Sequence, residues 1–382
     1  MSRKNKTVYF LGAGFSKDAG GPIQNEIIKT LLSNEFNNYW SNEDSVIASL
    51  KAFKGFLSSA LCIPECEYEN IILEDIFTPI DRCIADGKSF GAYSLKDLVD
   101  LRAKLHTLLA LSIQFGVDKE DSNKKYINDF AKYINDICVE KADGKFYNDK
   151  VSIITTNWDI LLDNSLNDAI QDTLRSNSEM PLSVVDYCCY MSSLQKDPKI
   201  KPGLLALGKG GYNIKYLKLH GSMNWLHCPL CQRLYVKFYE KTMMYADKYY
   251  CSHCRENFRL DRSSSISLKG NLMLPTFIKD LSNVQMQLIW QNAGIELSEA
   301  SKIVFLGYSL PAADFEIKQL LSRFIRKDAK IEVVLFPGDE NRIREEKNRY
   351  RYFLGDRITN DSFIIKRIPE YVNDLCCNTL NL

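Results

Sequence analysis

The sequence predicts an α/β fold: a parallel sheet with helices on both faces, interrupted by a large helical insertion and a small metal-bound module. Three observations predict it. Short apolar runs at Val8–Leu11, Val151–Thr155, Tyr216–Leu219, Ile303–Leu306 and Ile331–Phe336 end in polar or glycine-containing turns and are separated by helical stretches, the pattern of buried parallel strands. Between Ile23 and about Asn148, apolar residues recur at spacings of three and four, as in Ile27, Ile28, Leu31, Leu32 and in Leu98, Leu101, Leu105, Leu108, Leu109, the period of amphipathic helices. Cys228-Pro-Leu-Cys231 and Cys251-Ser-His-Cys254 are separated by 19 residues, the spacing of two knuckles that close a tetrahedral zinc site.

These segments divide the chain into a first strand and glycine loop (1–22), a helical insertion (23–150), a return to the sheet (151–222), a zinc-ribbon module (223–270) and a completing segment (271–382). Helix breaks are expected near Ser41, Pro64, Gly87 to Gly91, Gly116 to Asn123 and Asp143-Gly144. The 382 residues suffice for two or three structural units. Lys+Arg 49 against Asp+Glu 48 leaves almost no net charge, so nothing global draws the chain to nucleic acid or an acidic membrane. No stretch approaches the roughly 20 apolar residues of a membrane span, and Val8–Leu11 is too short for a signal-peptide core. A cytoplasmic location is expected, where clustered cysteines favour metal over disulfides. The other cysteines (62, 66, 83, 138, 188, 189, 376 and 377) lack couplet spacing and read as small buried or surface thiols.

Four motifs occupy the predicted carboxyl ends of strands, where ligands bind in such sheets. The first strand runs into Gly12-Ala13-Gly14-Phe15-Ser16 and then Ala19-Gly20-Gly21-Pro22. Small residues let the backbone approach a pyrophosphate, and a following helix start would supply amide donors. A glycine turn required only for packing is the alternative. Thr155-Thr156-Asn157-Trp158-Asp159 follows the second run; the Asn157 amide can orient water or a ribose hydroxyl and the Asp159 carboxylate a hydroxyl or base, or either can cap the next helix. His220-Gly221 follows the third, where an imidazole suits a general base at neutral pH or a structural role. His106 falls in a helical apolar pattern, and His227 and His253 adjoin the cysteine couplets, where either can replace a sulfur. Gly307-Tyr308-Ser309-Leu310-Pro311 follows the fourth, with Asp314 and Glu316 beyond; it suits phosphate or ribose contact, or a turn and helix cap.

In this order, the motifs resemble those of the sirtuin family, and more closely the bacterial Sir2-like subunits of anti-phage defence systems, including those encoded with a HerA-type hexameric ATPase. The resemblance extends from about Val8 to Phe336, the long helical segment excepted. It implies a Rossmann-like domain that binds NAD and a smaller module holding structural zinc through Cys228, Cys231, Cys251 and Cys254. It further implies that Gly12, Ala13, Gly14 and Ser16 cradle the NAD phosphates, that Gly307 and Ser309 lie near the adenosine half, that Asn157 and Asp159 contact the nicotinamide ribose and its water, and that His220 is the base. Two features of the family's deacylases are missing. Their Asp-Phe-Arg, whose ring screens the reactive sugar carbon, is replaced by Ile23-Gln24-Asn25, and their peptide-pairing Phe-Gly-Glu has no match in Leu274–Lys279. The expectation is therefore an NAD hydrolase that forms nicotinamide and ADP-ribose, held in check by a homo-oligomer or a HerA-type partner, with the insertion as the self-association surface; an NAD-dependent protein deacylase and a non-catalytic nucleotide-sensing assembly subunit are the alternatives.

Overall fold

The structure, a computed structural model, describes residues 5–119, 123–142, 144–145, 149–177, 179–194, 200–239, 248–258 and 266–379. The first four residues, Asp143, the end of the predicted insertion at 146–148 and parts of the predicted zinc module (240–247 and 259–265) lie outside the described residues.

In chain order the strands are β1 (Thr7–Leu11), β2 (Val151–Thr155), β3 (Val184–Asp186), β4 (Met191–Ser193), β5 (Asn213–Lys218), β6 (Gly221–His227), β7 (Leu234–Val236), β8 (Lys269–Leu272), β9 (Lys302–Leu306), β10 (Lys330–Leu335) and β11 (Phe363–Ile365). Seven form one sheet in the order β11-β10-β9-β1-β2-β5-β3, and every pair in it is parallel. The remaining four form a small sheet in the order β4-β7-β6-β8. From β1 the chain builds outward through β2 and β5, then returns to add β9 on the other side, so β1 is the topological switch point.

Register explains why separate motifs share one end of the sheet. Leu11 pairs with Thr155 on one side and Leu306 on the other, and Thr155 pairs with Lys218. The next residues in each strand are therefore Gly12, Thr156-Asn157, Gly307 and Leu219-His220. Val8, Phe10, Ile153, Ile154, Ile303, Val304 and Leu306 are fully buried, as strands covered on both faces require.

The helices form two packing systems. Helices α1 (Gln24–Leu32), α2 (Asn34–Tyr39), α3 (Asp44–Ser59), α4 (Leu73–Asp86) and α5 (Leu95–Val117) share their own core, built from Ile27, Leu31, Phe53, Phe56, Ile76, Phe77, Leu98, Leu105 and Leu108. A reciprocal Ser94–Asp97 capping box starts α5, and Gly87 in the left-handed region ends α4. Helix α6 (Lys125–Val139) was expected within the insertion but packs on the sheet instead: its Tyr126, Ile127, Phe130 and Ile134 belong to the core of β1 and β2. Its apolar face meets a buried sheet, and one Phe buried there is worth about 1.5–3 kcal/mol. Further helices follow: α7 (Leu161–Ser176), α8 (Gly203–Gly208), α9 (Ser252–Asn257), α10 (Val284–Glu299), α11 (Phe315–Phe324), α12 (Glu340–Leu354) and α13 (Ile368–Thr379). No helix among the described residues is long and apolar enough to cross a membrane.

At the amino ends of the strands lies an ion-pair network. Lys6 Nζ, fully buried, stands 2.9 Å from Asp149 Oδ2 and also contacts Glu296; Lys215 reaches Asp149 and Glu296 at 2.7 Å each, and Lys141 reaches Asp149 at 3.0 Å. Asp149, Glu296 and Glu299 converge closely enough to hold a cation, but three ammonium groups already neutralise them. Burial alone would raise the Asp149 carboxyl; the ammoniums of Lys141, Lys215 and Lys6 overcome it and hold the group well below the usual carboxylate range. Its folded pKa being depressed, the stabilisation is fully present above about pH 4, the unfolded value, and is lost as pH falls below it. Lys6→Ala is expected to cost about 3–5 kcal/mol, because it leaves buried carboxylates undercompensated. Urea titration at pH 7 would show this as a lower midpoint with an unchanged slope; an unchanged midpoint would remove the network from the account of stability.

Candidate active site

The loops after β1 and β9 are stitched together. Gly12 N–H donates to Leu306 O at 3.0 Å and Gly14 N–H to Gly307 O at 2.9 Å. Gly307 has φ +63°, and a Cβ there would lie 2.2 Å from Phe15 N; a Cβ on Gly12 would lie 2.5 Å from Tyr308 Cα. Glycine is required at both positions by close backbone approach. The expected helix start is a 3-10 helix, Ala13–Ala19, and the amides of Gly12 and Gly14 are already committed within the protein. Gly12 therefore shapes the loop, while Ala13, Gly14 and Ser16 reach the surface above it.

That surface is one wall of a cleft of about 750 Å³. Ala13, Gly14, Ser16, Asn157, Asp159, His220, Gly307 and Ser309 all line it; Gly12 alone among the site residues expected from sequence does not, the metal ligands aside. The insertion also lines the cleft, through Ile72, Leu73, Glu74 and Ile113. The 274–279 segment adds Leu274, Pro275, Phe277 and Lys279, and the loop before α11 adds Asp314.

Inside the cleft, Ser16 Oγ donates to Asp159 Oδ2 at 2.8 Å and accepts from Asn157 Nδ2 at 3.2 Å. Asp159 Oδ1 also accepts from Leu161 N–H at 3.1 Å, so the alternative of a helix-start contact is realised for this residue alongside its place in the cleft. Burial raises the Asp159 carboxyl, opposed by Lys218 and by the Ser16 hydrogen bond. Lys218 Nζ, fully buried, donates to Asp159 O at 2.6 Å and pairs with Asp163 at 2.8 Å, fixing the loop from beneath. Asn157 Nδ2 is held by Ser16, and its Oδ1 is buried with no partner among the described residues.

His220 is in the same condition. Its Nε2 is buried without a hydrogen-bond partner among the described residues and stands 3.9 Å from Asp314 Oδ1. Burial pushes the imidazole below its usual value; Asp314 pulls upward, Lys279 pushes down, and burial wins. The ring is therefore neutral at pH 7 and able to accept a proton. Tyr308 OH donates to Asp314 Oδ2 at 2.9 Å, and Lys279 Nζ lies 3.4 Å from Asp314 Oδ1. A polar ligand in the cleft would satisfy both of these buried atoms.

The four couplet cysteines converge as expected: their sulfurs all lie within 4.8 Å of one another. Cys228 Sγ is 3.7 Å from Cys254 Sγ, and Cys231 Sγ is 3.6 Å from Cys251 Sγ. Tetrahedral zinc with bonds of about 2.3 Å puts sulfurs about 3.8 Å apart, so the cluster fits that metal. Within each knuckle an amide donates to the first sulfur, Cys231 N–H to Cys228 and Cys254 N–H to Cys251, as a thiolate favours. The cluster is made of the four cysteines without His227 or His253. Leu226, Tyr235 and Leu268 pack around it in a small core of their own.

No protein-family model and no curated protein matches the chain. Similar solved structures include a mutant Sir2 homologue in complex with ADP-ribose, at 11% identity over 99% of this chain and 94% of that one with a TM-score of 0.40. A Sir2 homologue in complex with NAD is similar at 11% identity over 98% and 90%, with a TM-score of 0.38. A Sir2 enzyme is similar at 14% identity over 99% and 93%, again with a TM-score of 0.38. At such distances the residues of the cleft must be read from this chain's own geometry.

Sequence reasoning missed Lys279 as a partner of the site, although the 274–279 segment was singled out. Asp314 was noticed only as lying beyond Ser309. Neither has a local signature; each becomes visible through burial in the cleft.

Proposed function

We propose that this chain is an NAD glycohydrolase that cleaves the bond between nicotinamide and ribose to give nicotinamide and ADP-ribose. The motif order supports NAD as the ligand. The observation that carries hydrolysis over acyl transfer is the backbone of the 274–278 segment, where a deacylase would pair its peptide as an added strand. Thr276 N–H donates to Leu274 O, Phe277 N–H to Thr78 Oγ1 at 3.2 Å, and Ile278 N–H to Thr276 Oγ1 at 3.2 Å. Met273 N–H is likewise held by His220 O at 2.9 Å. Strand addition needs free edge amides, and these four are satisfied internally.

The chemistry follows from the two unpartnered groups. As the glycosidic bond lengthens, its electron pair leaves with nicotinamide and positive charge gathers on the ribosyl carbon. Asn157 Oδ1 accepts a hydrogen bond from the attacking water or a ribose hydroxyl, and the neutral His220 imidazole takes the proton released. The water oxygen bonds to the sugar carbon to complete ADP-ribose. Zinc held by Cys228, Cys231, Cys251 and Cys254 would supply structural cross-linking, away from this bond.

Supplying an acetyl-lysine peptide with NAD tests the reading. Nicotinamide release is expected to be the same with and without peptide; release that depends on the peptide would make the chain a deacylase. The motif resemblance supports the further reading that such a hydrolase acts in anti-phage defence as an NAD-depleting effector, restrained as a homo-oligomer and paired with a HerA-type ATPase. Co-expression and co-purification with that ATPase test the pairing.

A further inference from the structure

We propose that Asp314 is a catalytic residue of this cleft: its Oδ1 and His220 Nε2 together seat the attacking water, each accepting one of the two hydrogens. This rests on the hydrolase reading above. The two atoms stand 3.9 Å apart, too far to bond to each other and close enough to share one small donor. An oxygen about 2.8 Å from both makes an angle of roughly 90° between them, which the two O–H bonds of one water can span. His220 is 7% exposed, its Nε2 has no partner among the described residues, and both residues line the cleft. Room and several polar partners are what a bound water needs.

Structural duties do not account for this carboxylate. Asp314 is the cap residue of α11, where an aspartate usually accepts an amide of the first turn, yet its side chain makes no cap bond. Lys279 is not in need of it as a counter-ion: Nζ lies nearer to Glu316 Oε2, at 3.2 Å, and donates to Ala313 O at 2.7 Å. Asp314 is instead held in place beside the histidine. Its Oδ2 accepts from Tyr308 OH at 2.9 Å, and Tyr308 is itself tied down by Tyr350 OH, which donates to Tyr308 O at 2.6 Å. Oδ1 is left to Lys279, 3.4 Å away, and to the space shared with His220. The bond from Met273 N–H to His220 O fixes the other acceptor, so the pair is arranged before substrate arrives, as electrostatic catalysis requires.

With the imidazole neutral and its proton on Nδ1, Nε2 accepts one hydrogen of the water and Asp314 the other. Both O–H bonds are then engaged, and the oxygen lone pairs point away from the two acceptors, free for the ribosyl carbon. Asn157 Oδ1 takes a ribose hydroxyl. The C–N bond breaks, its electron pair leaves with nicotinamide, and the water oxygen bonds to the carbon. One water proton passes to His220 Nε2, while the hydrogen facing Asp314 stays on the new hydroxyl of ADP-ribose. Asp314 neither donates nor takes a proton, and its charge opposes that of the imidazolium. An alcohol has one O–H and satisfies only one of the two acceptors, so this seat selects water.

Cleavage of NAD by the full chain in buffer containing methanol tests this, with ADP-ribose and methyl ADP-ribose counted separately. Asp314→Ala is expected to raise the ratio of methanolysis to hydrolysis about tenfold and to lower hydrolytic kcat by at least about tenfold, the worth of one charge-assisted hydrogen bond. Tyr308→Phe keeps the carboxylate but releases its Oδ2, and should move the ratio the same way by about threefold. A ratio in Asp314→Ala within about twofold of wild type, whatever its kcat, would overturn the seat and leave NAD hydrolysis standing. Should Asp314→Ala fail to fold, an unchanged ratio in Tyr308→Phe would overturn it equally. Wild-type chain without turnover of NAD in any state would overturn the hydrolase reading itself.

Discussion

Replacing His220 with alanine is expected to lower NAD turnover about 100-fold or more, while the metal content of the cysteine cluster stays at the wild-type level. The imidazole is buried in the cleft, its Nε2 has no hydrogen-bond partner among the described residues, and burial holds its pKa below the usual histidine value. The sign of the pH dependence follows. A lowered pKa means that the active, neutral form persists below about pH 6.5, the usual histidine value, and is lost only as pH falls further. The acid limb of kcat/KM should therefore lie below 6.5. Asp314 pulls the group upward, so Asp314→Asn should move that limb to still lower pH. A limb above 6.5, or full activity in His220→Ala, would remove the histidine from the mechanism.

The second large effect is expected at the metal cluster. Cys251→Ser removes one of four converging sulfurs, and structural zinc in small domains is worth on the order of 10–16 kcal/mol of binding free energy. The variant should lose zinc and become sensitive to proteolysis between 223 and 270. NAD turnover should fall as well, because β6 begins at Gly221, directly after His220, and runs into the cluster at Cys228. Elemental analysis and limited proteolysis check this; a zinc-free variant with wild-type melting temperature and protease resistance would show that the cluster is not structural.

The sheet was legible because each buried strand is a short apolar run ending in a turn, and parallel register then brings those ends level. That is why Gly14, Asn157, His220 and Gly307, far apart in sequence, meet in one cleft. Other parts left no such trace. Strands β3 and β11 are three residues each, too short for a periodic pattern. Helix α6 has the same apolar spacing as the insertion, and spacing does not tell which surface a helix covers; only packing assigns it to the sheet. Gly12 was expected in the phosphate cradle through the family resemblance, and only the partners of the Gly12 and Gly14 amides, Leu306 O and Gly307 O, show that it shapes the loop instead.

The most direct test is product analysis with NAD, on the chain alone and beside a HerA-type partner, with Asn157→Ala as control. Wild-type chain is expected to give equal amounts of nicotinamide and ADP-ribose without any acyl-lysine peptide, and Asn157→Ala to give neither while keeping its zinc. Absence of ADP-ribose in every state, or nicotinamide release only when an acyl-lysine peptide is present, would contradict the assignment of this cleft to NAD hydrolysis.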